Sequence, residues 1–263
     1  MTSNTWPDEL YDLIFFPDID KSLTDLSTLA EYEDWDYKNT QSSRKLPVLY
    51  NYIQYTYTKL AQEGKLEISI DGQYLTFNTG LVTSNQEPIF AFCSTNRNTP
   101  KNGNKLSPWY FNGWKRKGEF EMQKFTLLPD MAHYFDNPSD LVFDCKKELI
   151  VNIEHIIADN KERFPEPYYS MPDYTLQIVL KGAIDNAKER VRRNYKTAIP
   201  HFYRNKVQLL LPLCLSKPGI ADLAIVVESS NQATYRAATC LTLDMAYNNA
   251  RQLARPDRDW LIP

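Results

Sequence analysis

The sequence predicts an α+β fold in which a mixed or antiparallel sheet packs against helices. Three observations support this prediction. Residues 46–64 carry apolar side chains at helical spacing, residues 65–81 alternate between apolar and polar side chains, and residues 206–229 contain two nearly continuous apolar runs. Because both halves contain helical and strand patterns, we expect an N-terminal helix–hairpin unit and a C-terminal strand–helix unit.

The N-terminal half contains two predicted helices. Residues 1–21 are expected to form an irregular segment, after which Ser22 is a suitable N-cap for a helix over residues 23–33. The second helix has Pro47 in its first turn and Gly64 at its end, both of which are favourable positions for these residues. We therefore expect this second helix to be well defined.

Strands and a polar loop follow these helices. Two alternating strands meet at Asp71-Gly72, the strongest hairpin signal in the chain, and a third strand is predicted at residues 87–95. The next segment, residues 96–108, is polar, contains four Asn and two Pro, and predicts a loop. We expect a single α+β domain over residues 22–263, with the alternative that this loop divides it into two lobes.

The C-terminal half is predicted to alternate between helices and strands. Residues 146–160 predict a helix, and the longest helix is expected over residues 174–195, since Pro200 prevents much continuation. The apolar runs after Pro200 indicate strands that are covered on both faces. The expected elements after this helix are strands at 206–215, 222–229 and 234–243, and a last helix at 242–254.

Charge is distributed unevenly along the chain. The formal net charge is −3, yet residues 1–40 contain ten acidic residues against two lysines, and residues 181–206 contain eight basic residues against two acidic ones. This asymmetry indicates either an anionic ligand or pairing between the two segments. A sequence pI near 5.7 argues against broad binding to duplex nucleic acid, which needs a strongly basic surface.

Several common classes of protein are disfavoured by the sequence. There is no apolar run long enough to span a membrane and no secretion signal at the N-terminus. The four cysteines lie far apart without a CxxC pair, which predicts a reduced, cytoplasmic protein without a zinc site. With 8 glycines and no GxGxxG or P-loop pattern, we expect neither a conventional nucleotide-binding loop nor a bound cofactor.

The segment 190–206 mixes cations with aromatic rings. Arginines near a helix end complement the helix macrodipole without any ligand, but the cations here continue beyond the predicted helix. Cations interleaved with rings are the combination that holds phosphates while stacking bases. The residues that we assign to such binding are Arg190, Arg193, Tyr195, Lys196, Tyr203 and Arg204.

A second candidate for anion binding is the predicted turn at Asn78-Thr79-Gly80, which follows a strand. Its backbone amides and the threonine hydroxyl are groups that hold anions in such turns. The alternative is an ordinary turn in which Gly80 supplies a positive φ.

A third candidate is a polar stripe on the last helix. Asp244, Asn248 and Arg251 follow one another at i, i+4 and i+7, so they lie on one helix face. A carboxylate, an amide and a guanidinium in this arrangement can orient a polar ligand. The alternative is a hydrogen-bonded network on the helix surface.

Acid–base chemistry is limited by the presence of only three histidines. His201, within the basic segment, is a candidate for contacting phosphate or moving a proton, and His155 is either a second base or a histidine at the edge of the core. Together with Asp244, these histidines are the candidate catalytic residues. No HxH or HExxH arrangement occurs, so we expect no metal site.

Several longer motifs resemble one family. The resemblance runs from about residue 23 onward and is carried by "LAEYEDWDY", "FNTGLVT", "PIFAFC", "NIEHIIADNKERFP", "RRNYKTAIPHFY", "QLLLPLCL", "ADLAIVVE" and "CLTLDMAYNNARQLARPDRDWL". These motifs are similar to the mainly bacterial domain of unknown function family numbered 3825. The resemblance implies a context in RNA or nucleotide metabolism, because such domains occur fused to or beside LOTUS-type winged helices and other RNA-associated modules.

These observations lead to one functional hypothesis and two alternatives. We expect an RNA- or nucleotide-binding protein that grips phosphates through residues 190–206. The first alternative is a metal-independent nucleotide or RNA hydrolase that uses the same site, so whether the chain is an enzyme stays open. The second alternative is a protein-interaction module whose basic strip meets an acidic partner or the acidic N-terminal segment.

Overall fold

A computed structural model describes residues 6–98 and 106–256, which fold into two compact units. Of the described residues, the first unit comprises 6–37, 42–98 and 106–133, and the second comprises 38–41 and 134–256. Each unit contains a five-stranded sheet together with helices, so the predicted α+β fold is confirmed. The described ends of the predicted loop at 96–108 both lie within the first unit.

The first unit has a mixed sheet in the strand order β1-β5-β4-β3-β2. β1 pairs parallel with β5, and the other neighbouring strands are antiparallel. Its main elements are α1 (Leu10–Leu13), β1 (Ile14–Phe15), α2 (Ile19–Leu29), α3 (Pro47–Glu63), β2 (Leu66–Ile68), β3 (Tyr74–Val82), β4 (Pro88–Thr95) and β5 (Trp109–Arg116).

The helix α2 begins earlier than the sequence predicted. Its N-cap is Asp18, whose carboxylate accepts a hydrogen bond from the Lys21 amide at 2.9 Å. Ser22, predicted as the N-cap, lies inside the helix and donates its hydroxyl to the Asp18 carbonyl at 2.7 Å. The reason is that both residues are good caps, and the aspartate comes first along the chain. α1, β1 and the start of α2 thus lie within residues 1–21.

The helix α3 forms as predicted. Pro47 occupies the first turn, and Gly64 ends the helix in the left-handed conformation. On the sheet side, the Tyr57 ring packs edge-on against Phe77 of β3, with the ring centroids 6.0 Å apart. The predicted apolar stripe is fully buried, at 1 % exposure or less, and consists of Leu49, Ile53, Tyr57 and Leu60.

The hairpin at Asp71-Gly72 is also confirmed. β2 and β3 pair antiparallel on either side of it, and Gly72 adopts a φ of 68°. The Asp71 carboxylate accepts hydrogen bonds from the Ser69 hydroxyl and the Gln73 amide. The local turn chemistry therefore sets the register of this strand pair.

The second unit has a sheet in the order β6-β10-β9-β8-β7. β6 pairs parallel with β10, and the remaining pairs are antiparallel. Its main elements are β6 (Glu148–Val151), α4 (Ile153–Asn160), α5 (Asp173–Arg193), β7 (Ile199–Tyr203), β8 (Lys206–Leu213), β9 (Leu223–Ser229), β10 (Thr234–Leu241) and α6 (Leu243–Arg251).

Two strands of this sheet were not predicted. The predicted helix over 146–160 is wrong in its first part, since residues 148–151 form β6 and the helix begins at Ile153 with Asn152 as its N-cap. β7 lies within the basic segment, where neighbouring cations interrupt the apolar pattern that would predict a strand. Both are edge strands, held by pairing with β10 and β8, and such pairing leaves no local sequence signal.

The sheet of the second unit is covered on both faces, as predicted. The helices α4 and α5 share one apolar core with Leu209, Leu211, Ile225 and Val227. The alternate residues Leu210 and Val226 point to the other face and are also buried. On that face lies α6, which contacts β7, β9 and β10. The face opposite α4 and α5 is therefore covered in part by α6.

The sheets of the two units have the same strand topology. In each, the strands lie in the order first, fifth, fourth, third, second, and the first strand runs parallel to the last. In each, two helices connect the first strand to the second. No internal repeat is visible in the sequence, so this common topology is carried by the order of the elements and not by shared side chains.

The turn predicted at Asn78-Thr79-Gly80 is instead a bulge inside β3. The pairing with β4 shifts register after Asn78, whose side-chain oxygen accepts a hydrogen bond from the Gly80 amide at 2.9 Å. The buried Thr79 hydroxyl donates to the Ile89 carbonyl at 2.7 Å and accepts from the Leu81 amide at 3.1 Å. The groups suggested for an anion are therefore used within the sheet, and the prediction of a turn is wrong.

Replacing Gly80 with alanine should destabilise the first unit strongly. Gly80 has a φ of 73°, and a Cβ added there would lie 2.6 Å from the Tyr52 hydroxyl oxygen. Backbone strain and overpacking together predict a loss of about 3–4 kcal/mol in the free energy of unfolding, measured by urea denaturation.

The matched control is Gly64→Ala. Gly64 has a φ of 67°, but an added Cβ would meet no atom within 4 Å. Only the conformational cost of about 1–2 kcal/mol is then expected. Equal losses in the two variants would contradict the role of the close approach to Tyr52.

Candidate phosphate-binding site

The C-terminal end of α5 and the connection between β8 and β9 line a cavity of about 440 Å³ in the second unit. Its lining includes three cations, Arg190, Arg193 and Lys217, and one acid, Glu189. Small or apolar side chains such as Ala183 and Pro212 form much of the remaining surface. We call this the basic cavity.

Helix spacing places the two arginines on one side of α5. Arg190 and Arg193 are three residues apart, and the buried alanines Ala183 and Ala187 lie on the same side, about two turns and one turn before Arg190. Because alanine is small, the helix surface is recessed beside the arginines. This recessed surface of α5 forms one wall of the basic cavity.

The opposite wall is held by one carboxylate. Asp222 accepts hydrogen bonds from the Leu215 amide at 2.7 Å and from the Ser216 amide at 2.9 Å. Its second oxygen accepts from the Ser216 hydroxyl at 2.7 Å. These bonds close the connection between β8 and β9 into a compact loop, and that loop presents Lys217 to the basic cavity.

The cations of the basic cavity are only partly neutralised. Glu189 accepts a hydrogen bond from Arg192 at 2.8 Å and a longer one from Arg193 at 3.4 Å, so its closer partner is an arginine outside the cavity lining. The end of α5 adds a partial charge of only about −0.5. Three cations against one shared acid therefore leave the cavity positive.

The guanidinium of Arg190 is held in place by a thiol. Its Nη1 donates to the sulfur of Cys214 at 3.3 Å, and both residues line the basic cavity. Arg193, in contrast, has a side chain that is 76 % exposed. One arginine is thus positioned in advance, while the other is free to move onto a ligand.

Tyr195 and Lys196 of the basic segment line a second, smaller cavity of about 230 Å³. Its floor is mostly apolar, with Ile199 and Leu253, and Arg255 adds a further cation. The Tyr195 ring is 65 % exposed. The basic segment 190–206 therefore contributes to the lining of both cavities. Arg193 lines the first and Tyr195 the second, with only Asn194 between them in the chain.

The remaining members of the basic segment lie at the turn between β7 and β8. Arg204 and Asn205 both have positive φ angles, and the Arg204 guanidinium lies 5.2 Å from the centroid of the exposed Tyr203 ring. Neither Tyr203 nor Arg204 lines the two cavities described above. The structure therefore separates them from Arg190 and Arg193.

His201 does not occupy the surface position that the sequence suggested. Its side chain is 1 % exposed, and among the residues that the structure describes neither ring nitrogen has a hydrogen-bond partner. Burial lowers the pKa of His201 from 6.5 to about 4, so the ring is neutral near pH 7. A buried neutral imidazole cannot contact a phosphate, and the proposed contact is contradicted.

The polar stripe on α6 is buried as well. Asp244 is 2 % exposed, and its carboxylate accepts hydrogen bonds from the backbone amides of Lys38 at 3.0 Å and Asn39 at 2.9 Å. Asn248 and Arg251 are 9 % and 8 % exposed. The stripe therefore packs inside the second unit and does not present a surface to a ligand.

His155 lies on α4, where its Nδ1 is 3.5 Å from the Asp159 carboxylate. The ring is exposed, so the alternative of a histidine at the edge of the core is wrong. His155, His201 and Asp244 are all absent from the lining of the basic cavity. The structure thus does not bring the three predicted catalytic residues to the place where the arginines meet.

Sequence reasoning missed the loop that completes the basic cavity. Lys217, Ser216 and Cys214 come from "CLSKPGIAD", in which Pro-Gly marks a turn directly after a strand. A lysine beside that turn was the available signal. Its position opposite Arg190 depends on the pairing of β8 with β9, which the sequence alone does not reveal.

Within residues 6–98 and 106–256, no group of three or more His, Cys, Asp or Glu side chains is arranged to hold a metal ion. In the same part of the chain, no helix is both long and apolar enough to cross a membrane.

Comparison with known proteins gives one match. The family model described as a domain of unknown function, DUF3825, matches residues 26–260, which is nearly the whole chain and confirms the resemblance seen in the motifs. No curated protein and no solved structure matches the chain.

The burial of His201 predicts that stability falls in mild acid. Its pKa is about 4 in the folded protein and 6.5 when exposed, so the unfolded chain binds the proton more readily. The stability is complete above pH 6.5 and is lost as the pH falls toward 4, with a loss of about 2 kcal/mol between pH 7 and pH 5. Urea denaturation of the parent protein and of His201→Leu at both pH values measures this difference.

We expect His201→Leu to remove that part of the pH dependence, because leucine does not titrate and needs no hydrogen bond. The control is Phe202→Leu, which changes another buried ring of the same strand without touching a titratable group and should keep the loss between pH 7 and pH 5. An unchanged loss between pH 7 and pH 5 in His201→Leu would contradict the assignment.

Replacing Asp244 with alanine should destabilise the second unit by about 2–4 kcal/mol, because two backbone amides lose a charged acceptor. Asp159→Ala removes an exposed carboxylate from α4 and should change the stability by less than about 0.5 kcal/mol. Chemical denaturation followed by circular dichroism measures both values. Similar small effects in the two variants would show that the Asp244 hydrogen bonds are not needed.

Proposed function

The chain belongs to the DUF3825 family, and we propose that it binds RNA or a nucleotide through phosphate groups held in the basic cavity. The observation that carries this proposal is the convergence of Arg190, Arg193 and Lys217 on a single cavity. Guanidinium groups bind phosphate oxygens through paired hydrogen bonds, and a lysine adds a point charge.

The size of the basic cavity supports a ligand larger than a phosphate alone. Its volume of about 440 Å³ lies within the range that small-molecule sites commonly have. The apolar part of the lining, which includes Pro212, Leu215 and Pro218, suits a sugar or a base. A mononucleotide or a short stretch of a single strand therefore fits better than an isolated anion.

The neighbouring cavity extends the proposed surface. Arg193 lines the basic cavity, and Tyr195 and Lys196, only two and three residues later, line the next one. An exposed tyrosine between cationic groups is a stacking position for an unpaired base. This arrangement favours a single strand that passes from one cavity to the next.

The composition of the site favours binding over hydrolysis. The candidate acid–base residues His155, His201 and Asp244 lie outside the lining of the basic cavity. His201 is also neutral and buried, and Asp244 already accepts two backbone hydrogen bonds. We therefore propose binding as the function, and the binding experiment decides between it and the two alternatives, a hydrolase and a protein-interaction module.

The double variant Arg193→Ala/Lys217→Ala should bind labelled single-stranded RNA at least about tenfold more weakly at low salt. If each cation neutralises one phosphate of the single strand, the slope of log affinity against log salt should become shallower by about 1.4 units. Fluorescence anisotropy over a salt series measures affinity and slope, and gel analysis of the same samples detects cleavage.

The matched control is Arg192→Ala. Arg192 lies in the same helix turn and pairs with Glu189, but it does not line the basic cavity. We expect a much smaller loss for this variant. Equal affinity of the double variant and the parent protein would overturn the proposal, and cleaved product would favour the hydrolase.

A further inference from the structure

The sheet of the first unit presents aromatic rings on the face turned away from α2 and α3. The face toward those helices includes Phe77, which contacts α3, and Trp114, whose indole donates to the Ser22 carbonyl at 2.6 Å. Strand alternation directs Tyr74, Phe92 and Tyr110 to the opposite face. The rings on that face are not needed for the packing of the two helices.

Four of the strands place one residue each in a single row across this face. Phe15 of β1 pairs with Tyr110 of β5, Tyr110 with Ser94 of β4, and Ser94 with Tyr74 of β3. The row is therefore ring, ring, serine, ring. The small Ser94 leaves a gap between two tyrosines.

The gap has the width of one planar ring. Tyr110 and Tyr74 are two strand spacings apart, which is about 10 Å. Stacked or tilted rings have centroids about 4.5–7 Å apart, so a ring placed between two others needs about 9–14 Å. A gap of this size between the strands suits a single base that lies above Ser94, between the two tyrosines.

The floor of this gap is rigid. Phe92 stacks on Tyr74 with ring centroids 5.3 Å apart and meets Phe125 edge-on at 6.3 Å. Phe92 and Phe125 belong to a buried cluster with Phe90 and Met122. The side chains beneath a bound base are thus already fixed by packing in the free protein, and this preorganisation lowers the entropic cost of binding.

A cavity of about 530 Å³ lies on this face of the sheet, and its lining includes Tyr74, Phe92, Ser94, Tyr110 and Asn112. Among the described residues, this lining contains a cation but no acid. The cation is Arg97. The surface thus combines rings, a cation and amide groups that can meet the edge of a base.

A second cation lies close by. The Lys124 amine is 4.4 Å from the centroid of the Tyr74 ring. Asp71 is also near Lys124, and its pKa is lowered chiefly by the Ser69 hydroxyl and in smaller part by that lysine. The charge of Lys124 is therefore partly offset, whereas Arg97 faces no acid in the lining.

We propose that this face of the first unit binds single-stranded RNA by taking one base between Tyr74 and Tyr110, above Phe92 and Ser94. Arg97 and Lys124 then lie where they attract the phosphates that flank this base. Positive charge beside stacking rings favours RNA over an apolar peptide as the partner of this face. The inference uses no residue of the basic cavity and does not depend on the function proposed for it.

The test uses the full chain and a short single-stranded RNA that contains 4-thiouridine or 2-aminopurine. We expect photo-crosslinks on the peptides that contain Tyr74 or Tyr110, and quenching of 2-aminopurine fluorescence on binding. Ser94→Leu fills the gap, and Tyr110→Ala removes one wall. Each variant should lose these crosslinks and weaken the quenching-detected binding about 5- to 100-fold, the range expected for one stacked base.

Tyr32→Ala is the control, since Tyr32 is 77 % exposed and lies outside the cavity lining. Thermal unfolding of each variant shows whether it is folded, and Tyr110→Ala decides the question if Ser94→Leu is not. RNA that crosslinks only elsewhere, or quenching that is unchanged in the folded variants, would overturn the inference. In Arg193→Ala/Lys217→Ala the crosslinks at Tyr74 and Tyr110 should persist, so the two proposals fail separately.

Discussion

The second unit depends on the hydrogen bonds that the Asp244 carboxylate accepts from the amides of Lys38 and Asn39. An unsatisfied buried carboxylate would cost several kcal/mol, but two backbone donors and the N-terminus of α6 stabilise this one. α6 in turn contacts β7, and β7 contributes Ile199 and Pro200 to the lining of the smaller cavity. A carboxylate that resembles a catalytic group in the sequence thus supports the elements around the proposed binding surface.

Elements with a complete local signal could be predicted from the sequence. Pro47, Gly64 and the apolar spacing between them define α3, and Asp71-Gly72 defines the first hairpin. β6 and β7 could not be predicted, because an edge strand is stabilised by the neighbour with which it pairs. Ile150 and Val151 suit a helix or a strand, and only the pairing with β10 decides between them.

The candidate site was predictable to the extent that it is local. Arg190 and Arg193 lie on one helix and were recognised from the cations and rings clustered in residues 190–206, whereas Lys217 reaches them only through the packing of strands. His201 was misjudged because a polar residue among cations suggests a surface, and the burial of one residue in a strand has no local signature. The row from Phe15 to Tyr74 depends in the same way on strand register, which residue types alone do not specify.

The placement of residues 38–41 in the second unit has a consequence for the order in which the protein folds during synthesis. Domains fold as units as they emerge from the ribosome, and the first unit has all its strands once β5 has been made. The amides of Lys38 and Asn39 leave the ribosome early, yet their acceptor lies 206 and 205 residues later in the chain. These amides therefore lack their acceptor until α6 has been synthesised, and the second unit closes only after α6 has left the ribosome.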